Sequence, residues 1–349
     1  MPAAERARLR ALARRGARPR RPLWWAALLL ALSAWGGALA AAPADHVHAD
    51  YAQRFDVAWQ LVEQRYWDVG GLDVDWRAMR SEYRPKALAA PDDQAFYAVL
   101  QAMYARINDG HTAFVPPSKV AELHAEYGDL PCLGVFGMAQ AASGKPAAAP
   151  QAPPNGVHGQ LGHVGYRMLA DGIGYVRLPD LATDGTSSGV RNAVSTLQAA
   201  RARALVLDLR GNPGGRLLTM MRVAGIFTSG FLWRVVTRWA LPLPYPAIGP
   251  VATRLPLAVL VDGDVNSAAE GLAGALQKDG RATVVGARTA GNVEAVLPFC
   301  LADGSQAWIA TGVLAPIGGP TWEGRGVVPD VPAAPEDALA AAEALLRRR

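Results

Sequence analysis

Residues Leu257 to Gln277 read LAVLVDGDVNSAAEGLAGALQ. This stretch predicts a short buried strand, then a polar turn of Gly, Asp and Asn, and then a small-residue helix that opens at Ser267. Most serines at helix starts only cap the helix. The free N–H groups and the dipole of a helix N-terminus would also stabilise an anionic intermediate formed on the hydroxyl. Ser267 is therefore a candidate nucleophile.

A second segment, LVLDLRGNPGG at Leu205 to Gly215, begins with a continuous apolar run. Such a run is typical of a central parallel strand. The segment ends in a turn with two adjacent glycines, which have no side chain and let the backbone come close to a ligand. An ordinary tight connection from strand to helix explains the glycines equally well. If the turn is functional, an N–H group of Gly214 or Gly215 can point at a substrate carbonyl.

Five segments resemble, in order, the motifs of the serine peptidase family that contains the tail-specific (C-terminal processing) proteases and the tricorn core protease. The resemblance covers roughly residues 50 to 335. It implies an α/β fold of the crotonase-like (ClpP/crotonase) type, peptidase activity and no need for a cofactor or metal ion. The segments are NDGHTAF at Asn108 to Phe114, DLRGNPGG at Asp208 to Gly215, NSAAE at Asn266 to Glu270, GRATVVGARTAG at Gly280 to Gly291 and EGRGVVPDV at Glu323 to Val331.

The lysine of the tail-specific proteases is missing. Their nucleophile is the first serine of an S-x-S-E motif, matched here by Ser267, with Ala269 in place of the second serine. A lysine 25 residues further on accepts the proton in those proteases, and the same spacing here ends at Asn292. An amide is not a base near neutral pH, so the Ser/Lys mechanism is not available to this chain. Glu270, in the first turn of the helix, is expected to complement the helix dipole rather than to react.

Resemblance to the tricorn branch of the family implies a Ser/His/Glu arrangement instead. This chain has a histidine and a glutamate at the two further positions. His111 lies in NDGHTAF, and Glu323 precedes GVVPD. The resemblance implies that Ser267 attacks, that His111 is general base and then acid, and that Glu323 orients the imidazole. Backbone N–H groups of Ala268 and of Gly214 or Gly215 would form the oxyanion hole. A structural role for His111 stays open, because lysine-type relatives share this histidine.

The N-terminus has the layout of an export signal. Residues 1–22 hold eight arginines and one glutamate, and an apolar run at residues 23–40 ends in Ala38-Leu39-Ala40, an A-x-A cleavage site. Residues 1–40 are thus predicted to be a signal peptide of a periplasmic or secreted protein, or alternatively an uncleaved anchor that faces the periplasm.

The formal charge is +5 overall, and residues 1–22 contribute +7, which leaves −2 for the rest. No basic patch for nucleic acid is expected there.

The remaining sequence predicts a helical part and an α/β part. A chain of 349 residues with 51% hydrophobic and 19% charged residues can bury a full core. We expect a helical N-terminal subdomain at residues 50–115 and a connector at 116–164 that is too short for a complete PDZ domain and includes a Pro/Ala-rich loop at 141–154. A helix should start near Asp93. The α/β catalytic domain should cover residues 165–335, with a hairpin that turns at Asp171-Gly172 before the parallel strands and a second Asp-Gly turn at Asp303-Gly304. Cys132 and Cys300 can pair in an oxidising compartment or remain thiols.

Together these features predict an exported serine endopeptidase that acts on a peptide or an unfolded protein through an acyl-enzyme. The alternative is a non-catalytic peptide- or ligand-binding protein on a decayed peptidase scaffold, because a decayed enzyme would also lack the lysine. Coenzyme A thioester chemistry, common on crotonase-like folds, is a further alternative. The export pattern and the serine at the helix start argue against it.

Overall fold

The structure is a computed structural model, which describes residues 45–127, 158–183, 185–242 and 244–348. All of these residues belong to one compact unit, residues 44–349. Among them, no helix is both long enough and apolar enough to cross a membrane. The predicted signal or anchor at residues 1–40 and the Pro/Ala-rich stretch at residues 141–154 lie outside the described residues.

Three helices form the N-terminal part: α1 (Asp45–Arg65), α2 (Trp76–Leu88) and α3 (Asp93–Ala105). Two of them begin at an aspartate cap, since the Asp75 carboxylate accepts from the second and third residues of α2 and Asp92 accepts from the N–H of Ala95. The predicted helix start near Asp93 is thus confirmed. Aromatic side chains fill the space between the helices, with the rings of Tyr51 and Phe96 stacked 4.4 Å apart.

A five-stranded antiparallel sheet lies against these helices. Its strands are β1 (Ala113–Val115), β6 (Phe231–Val236), β7 (Pro244–Pro246), β10 (Glu294–Cys300) and β11 (Gln306–Pro316). The order is β1-β11-β6-β7, and β10 also pairs with β11. The predicted turn at Asp303-Gly304 joins β10 to β11. The helical core includes apolar side chains of this sheet, such as Phe299 and Ile309. The helical part and the sheet are therefore packed as one body, with helix α4 (Pro117–Tyr127) directly after β1.

Cys300, the last residue of β10, is disulfide-bonded. The sequence contains one other cysteine, Cys132, which lies outside the described residues.

A second, seven-stranded sheet carries the α/β part. Its strands are β2 (His158–Leu161), β3 (Val164–Met168), β4 (Ile173–Arg177), β5 (Ala204–Asp208), β8 (Leu257–Val261), β9 (Thr283–Gly286) and β12 (Val331–Pro332). They lie in the order β12-β9-β8-β5-β4-β3-β2. The strands β4, β5, β8, β9 and β12 run parallel, and β2 and β3 add an antiparallel edge. The predicted hairpin before the parallel strands is present as β3 and β4.

Helices cover both faces of this sheet, which explains why β5 and β8 are buried at every residue. On one face, side chains such as Leu207 and Val259 pack against α5 (Gly185–Ala199), α6 (Leu217–Phe227) and α7 (Ala268–Lys278). On the other face, side chains such as Val206 and Leu260 pack against α8 (Ala338–Arg347). Because β5 and β8 are adjacent and parallel, the loops after Asp208 and after Val261 leave the sheet at the same edge.

Candidate active site

Ser267 lies immediately before α7, where the sequence predicts the helix start. Its backbone has φ 54° and ψ −125°, a conformation that a residue with a side chain rarely adopts. The Ser267 N–H donates to the backbone oxygen of Asn292 at 2.9 Å and to Oε1 of Glu270 at 3.2 Å. Strained backbone of this kind is found where a functional geometry requires it, and the surrounding structure must hold it in place.

Glu270 is one of the groups that hold this strained turn. The residue is 0% exposed. Besides the N–H of Ser267, its carboxylate accepts from the hydroxyl of Thr289, from the N–H of Gly291 at 2.7 Å and from the N–H of Asn292 at 2.8 Å. Four donors compensate the burial of this charge. Glu270 thus ties the start of α7 to the 289–292 loop, a role more specific than complementing the helix dipole.

The glycine turn after β5 packs directly against Ser267. A Cβ atom at Gly214 would lie 2.8 Å from the Cβ of Ser267 and 3.0 Å from the nitrogen of Ala268, and φ of Gly214 is 97°. Only glycine fits at this position. The Gly214 N–H donates to Oδ1 of Asn212 at 2.8 Å. The nitrogen of Asn266 donates to the backbone oxygen of Asn212 at 3.0 Å, so the two loops are bonded to one another.

His111 lies in a turn before β1 whose shape is set by Asp109. The Asp109 Oδ1 atom accepts from the N–H groups of His111 at 2.9 Å and Thr112 at 2.7 Å, which is an Asx-type turn. The His111 Nδ1 atom lies 3.0 Å from Oε2 of Glu294. The two side chains are 17% and 4% exposed. Burial lowers the pKa of His111, but the hydrogen bond and negative charge of Glu294, with the charge of Asp109, outweigh it and raise the pKa above its ordinary value.

Glu323, the carboxylate predicted to orient the imidazole, has a different hydrogen-bond partner. Its Oε2 atom accepts from the N–H of Val293 at 2.8 Å. Burial raises the pKa of Glu323 to about 7; the Val293 N–H and the charge of His111 oppose this rise, and the charge of Glu294 adds to it. Glu323 therefore belongs to the charge cluster around His111, while the carboxylate bonded to Nδ1 is that of Glu294.

Sequence reasoning missed Glu294 as a site residue. It is the first residue of β10, two positions after Asn292, and no family motif quoted above includes it. A signal was present, because a single acidic residue stands between the apolar Val293 and Ala295-Val296. A buried carboxylate in a strand needs a partner, and His111 supplies it.

Asn292, at the position of the family's lysine, lies between the serine and the histidine turn. Its backbone oxygen accepts from Ser267. Its Nδ2 atom donates to the backbone oxygen of Asp109 at 3.2 Å, and its side chain contributes to the raised pKa of His111. Asn292 thus bonds both the backbone of Ser267 and the turn that carries His111. No group of three or more His, Cys, Asp or Glu that could hold a metal ion occurs within the described ranges.

The site combines a serine at a strained helix start, a glycine turn against it and a histidine–carboxylate pair whose turn is bonded to Asn292. These are the kinds of group that a serine-type peptidase requires. Residues 172–333 match peptidase family S41, a family of serine peptidases, and residues 47–105 match the tricorn protease C1 domain. The S41 match contains four of the five motif segments quoted above, from Asp208–Gly215 to Glu323–Val331, so the resemblance to this peptidase family is confirmed for that part of the chain.

Relatives of known name agree with this assignment. The carboxyl-terminal-processing protease of Picosynechococcus sp. is 37% identical over 134 residues, which cover 38% of this chain and 32% of that protein. The carboxy-terminal-processing protease of Bartonella bacilliformis is 32% identical over 182 residues, which cover 48% of this chain and 40% of that protein. The chain thus spans about a third to two fifths of the length of these relatives.

Solved structures confirm the fold. The photosystem II D1 C-terminal processing protease superposes with a TM-score of 0.59 at 22% identity and covers 85% of this chain and 96% of its own. A lipoprotein from Streptococcus agalactiae superposes with a TM-score of 0.62 at 18% identity, over 86% of this chain and 96% of its own. The α/β peptidase fold with a small helical N-terminal part is therefore the one predicted from the sequence.

Proposed function

We propose that the chain is an exported serine endopeptidase that hydrolyses peptide bonds through an acyl-enzyme on Ser267. The observation that carries this proposal is the conformation of Ser267, which is strained, begins a helix and packs against Gly214 inside an S41 domain. A serine that only capped α7 would not need a positive φ, because capping residues normally have extended backbone. A strained backbone supports the proposal, because a nucleophilic serine at a turn from strand to helix needs such a conformation to expose its hydroxyl group.

His111 is the proposed proton acceptor. Its Nδ1 atom is bonded to Glu294, so Nε2 is the nitrogen that remains for the serine hydroxyl. The Ser267 oxygen attacks the scissile carbonyl carbon and its proton passes to Nε2. The leaving amine then takes that proton as the C–N bond breaks and the acyl-enzyme forms. A water molecule repeats both steps to release the acid and restore Ser267.

The proposed oxyanion hole uses the N–H of Ala268, the first residue of α7, and an N–H of the glycine turn. Since the Gly214 N–H donates to Asn212, Gly215 is the better candidate for the second donor, and Gly214 makes the close approach to Ser267 sterically feasible. Removal of one such donor costs roughly 3 kcal/mol of transition-state stabilisation in comparable enzymes.

The carboxylate role that the sequence assigns to Glu323 is proposed for Glu294, since Glu294 bonds Nδ1. Glu323 remains part of the site as a second acid. With a pKa raised to about 7 by burial, it carries a partial charge near neutral pH, and that charge favours the imidazolium. The titrations of His111 and Glu323 are then coupled rather than independent.

A peptide or an unfolded protein is the proposed substrate, and no nucleic acid is expected to bind. Export is proposed from the pattern of residues 1–40, and the disulfide at Cys300 suits an oxidising compartment. The protein would then be periplasmic or secreted, or held at the periplasmic side of the membrane through residues 23–40 if the signal is not cleaved. N-terminal sequencing of the exported protein separates these cases, because cleavage places Ala41 first.

Asn292 favours a second candidate, a non-catalytic binding protein on the same scaffold. A fluorophosphonate probe distinguishes the two, since only an activated serine reacts quickly with it. We expect labelling of the wild type, none of Ser267→Ala, almost none of His111→Ala, and labelling within about tenfold of wild type for Asn292→Ala because an amide accepts no proton. No labelling of the wild type, or full labelling of Ser267→Ala, would remove the proposed mechanism.

A further inference from the structure

The end of helix α1 reaches the β10–β11 hairpin, which carries Glu294. Directly after the helix, the backbone N–H of Trp67 donates to the backbone oxygen of Ala310 on β11 at 2.9 Å. Ala310 pairs with Val296 on β10, two residues from Glu294. Residues 66 and 67 of the helical part are therefore anchored beside the strand that supplies the carboxylate partner of His111.

The two carboxylate oxygens of Glu294 face different parts of the protein. Oε2 faces His111 Nδ1, whereas Oε1 lies 3.3 Å from the indole Nε1 of Trp67 and 3.5 Å from the hydroxyl of Tyr66. An indole nitrogen only donates, so the Trp67 bond has one direction. The Tyr66 hydroxyl also faces Asp109, and its pKa is held well above the ordinary value by burial and by the charges of Asp109 and Glu294. Tyr66 thus stays protonated, with one proton for two acceptors.

We propose that Trp67 is a positioning residue for His111. Its indole N–H holds one oxygen of the Glu294 carboxylate and so fixes the carboxylate in the orientation in which the other oxygen bonds Nδ1 of His111. This inference rests on the proposed function. It makes the N-terminal helical part a component of the active site, because without Trp67 the Glu294 side chain can rotate away from the imidazole.

Two effects of removing the indole N–H have opposite signs and can be separated. The charged or titratable groups that face the His111–Glu294 pair are Asp109, Tyr66 and Glu323, and none of them changes. If only the N–H dipole is lost, the Glu294 charge stabilises the imidazolium of His111 at least as strongly as before. The pKa of His111 then stays the same or rises slightly. Rotation of Glu294 away from the ring would lower that pKa, because burial then acts with less opposition.

The test is Trp67→Phe, with Trp59→Phe as the matched control. Trp59 lies on α1 against the same helical core, but its indole N–H donates to the backbone oxygen of Trp76 at 2.9 Å rather than to Glu294. We expect Trp67→Phe to lower kcat about tenfold with little change in KM, and to lower the pKa of His111 followed by NMR. Trp59→Phe should change neither. An unchanged or raised pKa in Trp67→Phe, or equal effects of the two substitutions, would overturn the inference.

A double-mutant cycle and a measurement on the wild type complete the test. If Trp67 acts through Glu294, then Trp67→Phe adds no further loss in the Glu294→Gln background; additive losses would refute it. In the wild type, the Trp67 indole N–H resonance should shift over the pH range in which His111 titrates. A constant resonance would refute the inference even if Trp67→Phe does not fold. Fluorophosphonate labelling that depends on Ser267 but not on Trp67 would reject this inference alone, whereas no labelling of the wild type rejects the proposed function.

Discussion

Glu294→Gln is the substitution that tests the histidine–carboxylate pair most directly. The variant keeps the size of a side chain that is 4% exposed but removes the charge that faces His111 Nδ1 at 3.0 Å. A hydrogen bond to a charged group contributes about 1.5 to 3 kcal/mol, which corresponds to a rate loss of about 10- to 150-fold. Glutamine can also present its NH₂ group to Nδ1 and select the wrong tautomer, which extends the expected loss to about 10⁴-fold in related triads.

Glu323→Gln is the matched control for this experiment. The same chemical change occurs in the same cluster, but the glutamine oxygen can still accept the Val293 N–H that Glu323 accepts at 2.8 Å. We therefore expect a loss of less than about tenfold at neutral pH. The two variants compare the carboxylate that the structure places on the imidazole with the one that the sequence motif predicts.

The assay is kcat/KM on an unstructured peptide between pH 5 and pH 9. In the wild type the rate should rise with pH through an apparent pKa above the ordinary histidine value, because Glu294 raises the pKa of His111 and the base must be neutral. In Glu294→Gln this rise in rate should move to lower pH, because burial then has the larger effect on the pKa of His111. The reasoning would be refuted if Glu294→Gln kept a near-normal rate and pH dependence while Glu323→Gln lost its activity. The orienting role would then return to Glu323. Equal losses would refute the division of roles between the two acids.

Three further outcomes are expected. Gly214→Ala should lower activity at least about 100-fold, because its Cβ would lie 2.8 Å from the Cβ of Ser267. Gly230→Ala is the control for backbone strain alone, because Gly230 has φ 99° but open space where the Cβ would lie. Equal activities of the two variants would contradict the packing argument. Glu270→Ala should lower the free energy of unfolding by about 3 kcal/mol or more in urea denaturation, because four donors lose their acceptor; a loss below about 1 kcal/mol would contradict it. Glu323 has a folded pKa of about 7, above its ordinary 4.5, so its contribution to stability is present below about pH 4.5 and is lost as the pH rises through 7. As the pH rises between those two values, the melting temperature of Glu323→Gln should therefore increase relative to that of the wild type. A difference in melting temperature that does not change with pH would show that the raised pKa is wrong.

Much of the fold could be predicted because its signals are local. The buried strand at Leu257 to Val261 and the helix start at Ser267 follow from an apolar run, a polar turn and a small-residue helix within about twenty residues. The turn at Asp303-Gly304 and the helix start at Asp93 follow from turn and cap chemistry of the same range. Such features depend on neighbouring residues, so the tertiary structure had little freedom to change them.

The partner of His111 could not be predicted in the same way. His111 and Glu294 are 183 residues apart, and their contact requires β1 and β10 to lie beside the same strand β11 in a particular register. The sequence by itself determined the peptidase fold, the nucleophile candidate and the absence of the family's lysine. Only the tertiary structure decided which of two carboxylates, Glu294 or Glu323, bonds the imidazole, because that choice depends on strand pairing and packing between distant segments rather than on local residue types.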